Sequence, residues 1–170
     1  MSRLNVDQIY TRTGTGSPAI REMPVFRGYL SATQSISSNV NTKVNIDTKT
    51  GDGLFDTNGY FDTVNKRYVP QIAGYYQFNG TIRVSGTSIT RIVSFLYKNG
   101  IPYEYGQAIN PSSTSSSQHV LVSSLIYMNG TTDYVELNGT ATATSPSFST
   151  AAPTTPAASC FLEGFLVRPD

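Results

Sequence analysis

The stretch from Tyr68 to Val84, Tyr-Val-Pro-Gln-Ile-Ala-Gly-Tyr-Tyr-Gln-Phe-Asn-Gly-Thr-Ile-Arg-Val, constrains the fold more than any other part of the chain. Val69-Pro70 is incompatible with helix, because proline lacks the donor and forces its predecessor toward extended backbone. Gly74 permits a bend. Beyond it Tyr76, Phe78, Ile82 and Val84 alternate with Gln77, Asn79, Thr81 and Arg83, the period of a half-buried β-strand. The stretch is expected to be the central strand of an all-β sandwich, with Tyr76 and Phe78 inward and Tyr75, Gln77 and Asn79 outward.

The flanking segments repeat the pattern. Val25–Leu30 is the first strong strand. Ile89–Tyr97 is a long apolar run ending at Asn99-Gly100, the strongest short hairpin signal, with Ile101–Gly106 as partner. Asn110–Gln118 reads as a flexible serine loop. His119–Tyr127, Asn129-Gly130 and Asp133–Leu137 imply a second hairpin. Gly139–Ser159 is almost all Thr, Ala, Ser and Pro, broken only by Phe148, and reads as a long loop of the kind that is functional or mobile. Phe161–Val167 closes the chain as a strand. No segment of ordinary helix length shows a 3.6-residue period, and the runs amount to about eight to ten strands, as in a sandwich or jelly roll. A content of 14 Gly, 9 Pro, 11 Tyr and 8 Phe agrees with strands joined by turns, and 170 residues suffice for one core.

Several function classes are disfavoured. The net charge is +1, with 12 Lys and Arg scattered along the chain, so no face is expected to neutralise a run of phosphates. Lys66-Arg67 is the only adjacent basic pair and reads as a solvated turn. There is no apolar leader and no window long enough for a membrane span, so the chain is expected to be soluble and without an export signal. Cys160 is the sole cysteine and sits in an apolar strand, where it acts as a small buried hydrophobe. His119 is the sole histidine and no Gly-x-Ser-x-Gly surrounds any serine, so no catalytic residues are assigned and an enzyme is not expected. One His and one Cys cannot make a usual zinc site. No cofactor is expected; calcium alone is left open by Asp47, Asp52 and Asp56 in one turn-rich segment, although their spacing is not that of an EF-hand loop.

Phe61-Asp62, Tyr68-Val69-Pro70 and Gly74-Tyr75-Tyr76-Gln77-Phe78 together resemble the signature of the C1q domain, related in fold to tumour necrosis factor. Val93–Gly100, Leu125–Leu137 and the closing Leu162-Glu-Gly-Phe-Leu166 resemble later segments of that family in the same order. The resemblance implies a ten-stranded C1q/TNF-like jelly roll, assembled as a homotrimer, over residues 25–170. Phe61, Pro70, Gly74, Tyr76, Phe78, Gly164 and Phe165 would be its core signature. Tyr75, Gln77 and Asn79 would be trimer-interface candidates, the plain alternative being that the same three are solvated or covered by a neighbouring loop. Some C1q-like trimers bind calcium near the three-fold axis, which is why calcium stays open.

Residues 1–24 differ. A collagen-like stalk is missing, and Leu4–Pro18 resembles short N-terminal segments of tailed-phage virion structural proteins, especially those of marine cyanobacteria. Leu4, Val6 and Ile9 are candidates for anchoring this arm to capsid or tail proteins; a frayed tail is the plain alternative. The expectation is therefore a non-enzymatic phage virion protein, a capsid decoration or fibre head, localised to the virion, with neither nucleic acid nor membrane as partner. The alternatives are a receptor-binding tip adhering to host-surface glycan, with Tyr103, Tyr105 and Phe148 as distal binding candidates, and a secreted C1q-like ligand.

Overall fold

The computed structural model of the chain describes residues 23–51, 53–111, 115–150 and 159–170. Among these residues there is no helix. The strands are β1 (Val25–Tyr29), β2 (Gln34–Ser35), β3 (Thr42–Lys43), β4 (Phe55–Asp56), β5 (Phe61–Asp62), β6 (Arg67–Tyr68), β7 (Gly74–Lys98), β8 (Ile101–Ile109), β9 (Ser115–Met128), β10 (Val135–Phe148) and β11 (Phe161–Pro169).

The architecture follows from β7, whose 25 residues serve two layers. Its first half, Gly74–Ser85, lies between β11 and β9, and β1 and β4 extend this layer beyond β11. Its second half, Ile92–Lys98, lies between β8 and β10, and β3 and β6 extend that layer beyond β10. Between the halves the pairing with β9 slips from Ser85 to Ile89, and Ser88 takes a φ of 54°. Such an irregularity bends a strand, which is how one strand leaves one layer and enters the other. The result is an all-β, jelly-roll-like sandwich.

The core is where the halves face each other. At Gly80 on the first half, an added Cβ would sit 2.6 Å from Leu137 Cδ1 on β10, so the layers meet there without room for a side chain. At one end an aromatic cluster joins them. Tyr68 on β6 stacks on Phe26 of β1 with ring centroids 3.9 Å apart, and Tyr76 and Phe78 pack edge-on against it. Tyr76 donates its hydroxyl to the Ile72 carbonyl at 2.9 Å. Tyr68 is fully buried, its hydroxyl has no hydrogen-bond partner among the described residues, and burial raises its pKa. A second fixed point is Asp56, whose side chain is 4% exposed and is bound by Lys49 Nζ at 2.7 Å. It also accepts the Tyr60 and Phe61 amides at 3.0 and 2.9 Å, tying β4 to β5.

Asn99-Gly100 turns β7 into β8, as the sequence predicts. Three other expectations are corrected. Tyr68 is not on the central strand: it belongs to β6 and pairs with Val135 in the other layer, and the strand proper starts at Gly74. His119–Tyr127 and Asp133–Leu137 are not a hairpin, because β9 pairs with the first half of β7 and the start of β10, Val135–Thr142, with the second. The Asn129 turn is therefore a crossing between layers. Its side-chain oxygen accepts the amides of Thr131, Thr132 and Asp133 at 2.9–3.0 Å. Finally, 139–148 is strand rather than loop, and Phe148 is fully buried. Alternating Thr and Ala carry little hydrophobic signal, yet β10 gains its partner from β7 and needs none of its own.

Candidate interaction surface

The outer face of the first layer is set by strand alternation. On β7, Gly74, Tyr76, Phe78 and Gly80 point inward, leaving Tyr75, Gln77 and Asn79 outward. On β9, Val120, Val122, Ile126 and Met128 are buried, and Leu121, Ser123, Leu125 and Tyr127 face out. The antiparallel register sets Tyr75 opposite Tyr127, Gln77 opposite Leu125 and Asn79 opposite Ser123. On the other flank Phe165 of β11 lies opposite Gln77.

Most of this face is apolar. Leu125 is 51% exposed and Phe165 43%, with Tyr75, Leu121, Tyr127 and Val167 also open to solvent. Tyr75 and Tyr127 meet edge to face at 5.4 Å. The Tyr127 hydroxyl donates to Asp170 Oδ2 at 2.9 Å, and that bond to a carboxylate raises the phenol's pKa. In the middle, Gln77 Nε2 donates to Ser123 Oγ at 2.9 Å and Ser123 Oγ donates to Asn79 Oδ1 at 2.8 Å.

The three interface candidates are thus brought together on one face. Of the core signature, Phe61, Pro70, Gly74, Tyr76, Phe78 and Gly164 are buried. Gly74 has a φ of 152°, and an added Cβ there would meet Pro169 Cα at 2.8 Å. Phe165 is corrected from core to surface. Leu162, Gly164 and Leu166 take the inward positions of β11, so alternation leaves Phe165 on the same outer face as Tyr75. Phe148 is corrected from distal binding candidate to core. Tyr103 and Tyr105 stay exposed on β8, where Tyr105 packs edge-on against Phe95 at 5.0 Å. The expected Asn110–Gln118 loop is shorter, since β9 starts at Ser115. Leu4, Val6 and Ile9 lie outside the described residues.

Leu121, Leu125 and Tyr127 were not among the expected site residues, though a signal for them exists. Val120–Met128 is apolar on both faces, a pattern that belongs to strands buried on both sides. Within one chain, β9 is buried on one side only.

Other chemistry is accounted for by protein partners. Asp47 accepts Ser31 N and Oγ at 2.9 and 2.8 Å, Asp56 holds Lys49, and Asp52 lies outside the described residues. Among the described residues no group of three His, Cys, Asp or Glu side chains is placed to hold a metal. His119 lies opposite Arg83, and its pKa is lowered by partial burial and by that guanidinium. No carboxylate that would orient a catalytic base contributes to that shift.

No protein-family model and no curated protein matches this sequence. Among solved structures, the chain is similar to the globular domain of zebrafish complement 1qA protein, with a TM-score of 0.60 and 17% identity over 88% of this chain and 100% of that one. It is also similar to murine APRIL, a tumour-necrosis-factor-family domain, with a TM-score of 0.60 and 8% identity over 86% of this chain and all of that one. The fold is therefore that of C1q and tumour-necrosis-factor globular domains.

Proposed function

We propose that the chain is a non-enzymatic structural protein of a tailed-phage virion, a capsid decoration or fibre head whose jelly-roll domain is a homotrimer and whose residues 1–24 anchor it to the particle. The observation that supports assembly is β9, apolar on the face that the chain itself leaves open. The three strands that carry it, β11, β7 and β9, spaced about 4.8 Å apart with about ten residues of about 3.4 Å each, give a face of roughly 490 Å². That is about three fifths of the roughly 800 Å² per partner of a standard stable interface, and an exposed, mostly apolar face of this size on a monomer is often functional. The phage assignment rests on the N-terminal segment's resemblance, and Leu4, Val6 and Ile9 are the residues assigned to docking.

Sedimentation velocity on the full chain tests assembly. A trimer that Leu125→Glu converts to folded monomer is the expected result, and a wild-type monomer at every concentration would sink it. Attachment to particles should be lost on combining Leu4→Asp, Val6→Asp and Ile9→Asp, with the trimer intact; retained attachment would remove the anchor role. A second reading, a receptor-binding tip, is favoured by the exposure of Tyr103 and Tyr105 on the edge strand β8. It predicts that the soluble protein blocks host adsorption and that Tyr103→Ala/Tyr105→Ala does not.

A further inference from the structure

The apolar outer face has a polar centre, and the bonding there is incomplete in a particular way. Gln77 Nε2 donates to Ser123 Oγ at 2.9 Å and to the Phe78 carbonyl at 3.1 Å and approaches Asn79 Oδ1 at 3.3 Å, while Ser123 spends its hydroxyl proton on Asn79 Oδ1. Gln77 Oε1 and Asn79 Nδ2 remain, one acceptor and one donor on successive outward positions of β7, with no hydrogen-bond partner among the described residues. The nearby carboxylate does not compete, because Glu163 lies opposite Asn79 but pairs with Arg27 at 3.6 Å. Water satisfies such groups on an open face at no cost. Once the face is covered each must find a partner or incur the desolvation penalty of a buried, unpaired polar group.

Apolar surfaces alone tolerate sliding and more than one arrangement, whereas a polar group within them fixes register and copy number. We propose that Gln77, Asn79 and Ser123 form a register lock between copies of this chain, with Asn79 Nδ2 of one copy donating to Gln77 Oε1 of the next around the axis. The relation is directional, head to tail, and so suits a ring rather than a face-to-face pair. The lock selects how many copies assemble and in what alignment; the surrounding Tyr75, Leu125, Tyr127 and Phe165 supply the affinity. This rests on the homotrimer reading.

Two variants of the full chain, checked for folding by circular dichroism, test the lock by sedimentation velocity. Combining Gln77→Leu, Asn79→Val and Ser123→Ala should leave association at least as tight as wild type while spreading it over more than one oligomer size. A single sharp trimer overturns the lock, and so does simple dissociation to monomer, which would make the triad a source of affinity. Asn79→Asp at pH 7 sets a carboxylate with no proton to donate against the Gln77 carbonyl oxygen of the next copy, whereas the protonated acid can still donate, so assembly should be about tenfold or more weaker at pH 7 than at pH 4, since each unit of carboxylate pKa shift is a factor of ten. Assembly of Asn79→Asp that is insensitive to pH overturns the lock as well. A wild-type chain that stays monomeric sinks the homotrimer reading and the lock with it, whereas a wild-type trimer with unresponsive variants sinks the lock alone.

Discussion

Phe148→Ala separates a core residue from a surface one most sharply. Phe148 is 0% exposed, pairs with Val84 and lies so close to Gly139 that an added Cβ there would be 3.1 Å from its ring. Deleting a buried phenylalanine ring costs about 3–5 kcal/mol, from lost transfer energy and from the cavity left behind. Against a domain stability of about 5–15 kcal/mol this is a large fraction, and with a slope of about 2 kcal/mol/M the urea midpoint should fall by roughly 1.5–2.5 M. The assay is urea unfolding of wild type and variant at equal protein concentration, because assembly adds to apparent stability by mass action. Tyr105→Ala is the control. Tyr105 is 69% exposed and loses one edge-on contact with Phe95, a cost of at most about 1.5 kcal/mol. A Phe148→Ala variant within about 1 kcal/mol of wild type, or one less damaged than Tyr105→Ala, would refute the placement of 139–148 as a core strand.

Asp56→Ala should cost about 1–3 kcal/mol, since it leaves two amides unpaired at a nearly buried site while Lys49 keeps the Phe61 carbonyl, and thermal unfolding checks it. Burial opposes the charge on Asp133, but Asn99, Lys98 and the Asn129 amide more than offset it and hold its carboxyl below the ordinary 3.8. Its contribution is therefore complete above that value and lost as pH falls through the folded-state pKa. Stability should drop below about pH 4, and Asp133→Asn should flatten that drop in acid titrations of unfolding. Cys160 is buried with its thiol pushed up to about 11 from 9.0, chiefly by burial, so its thiolate at pH 8 is roughly a hundredfold scarcer. Alkylation should be negligible in the native protein and fast in urea; rapid native labelling would contradict the placement of Cys160 under Arg83 and Ser149.

Much of the sandwich is legible in the chain because strand alternation is a local property. Tyr76, Phe78, Ile82 and Val84 announce their inward face within one segment, and Asn99-Gly100 announces its turn. The failures occur where the partner is distant. Nothing near Asn129-Gly130 reveals that β9 and β10 join different layers, because that depends on which half of β7 each one meets. Phe165 sits in a family-like motif, yet its face is fixed by the pairing of β11 with β7.

What the sequence determines by itself is the period: which residues of a strand share a face and where turns are tight. Only the tertiary structure decides which of two apolar faces is covered. β9 is hydrophobic on both, and hydrophobicity is non-directional, so a second apolar face reads the same whether its cover is the same chain or another. The fold spends one side of β9 on its own core and leaves the other, with Tyr75, Gln77 and Asn79 beside it, facing outward.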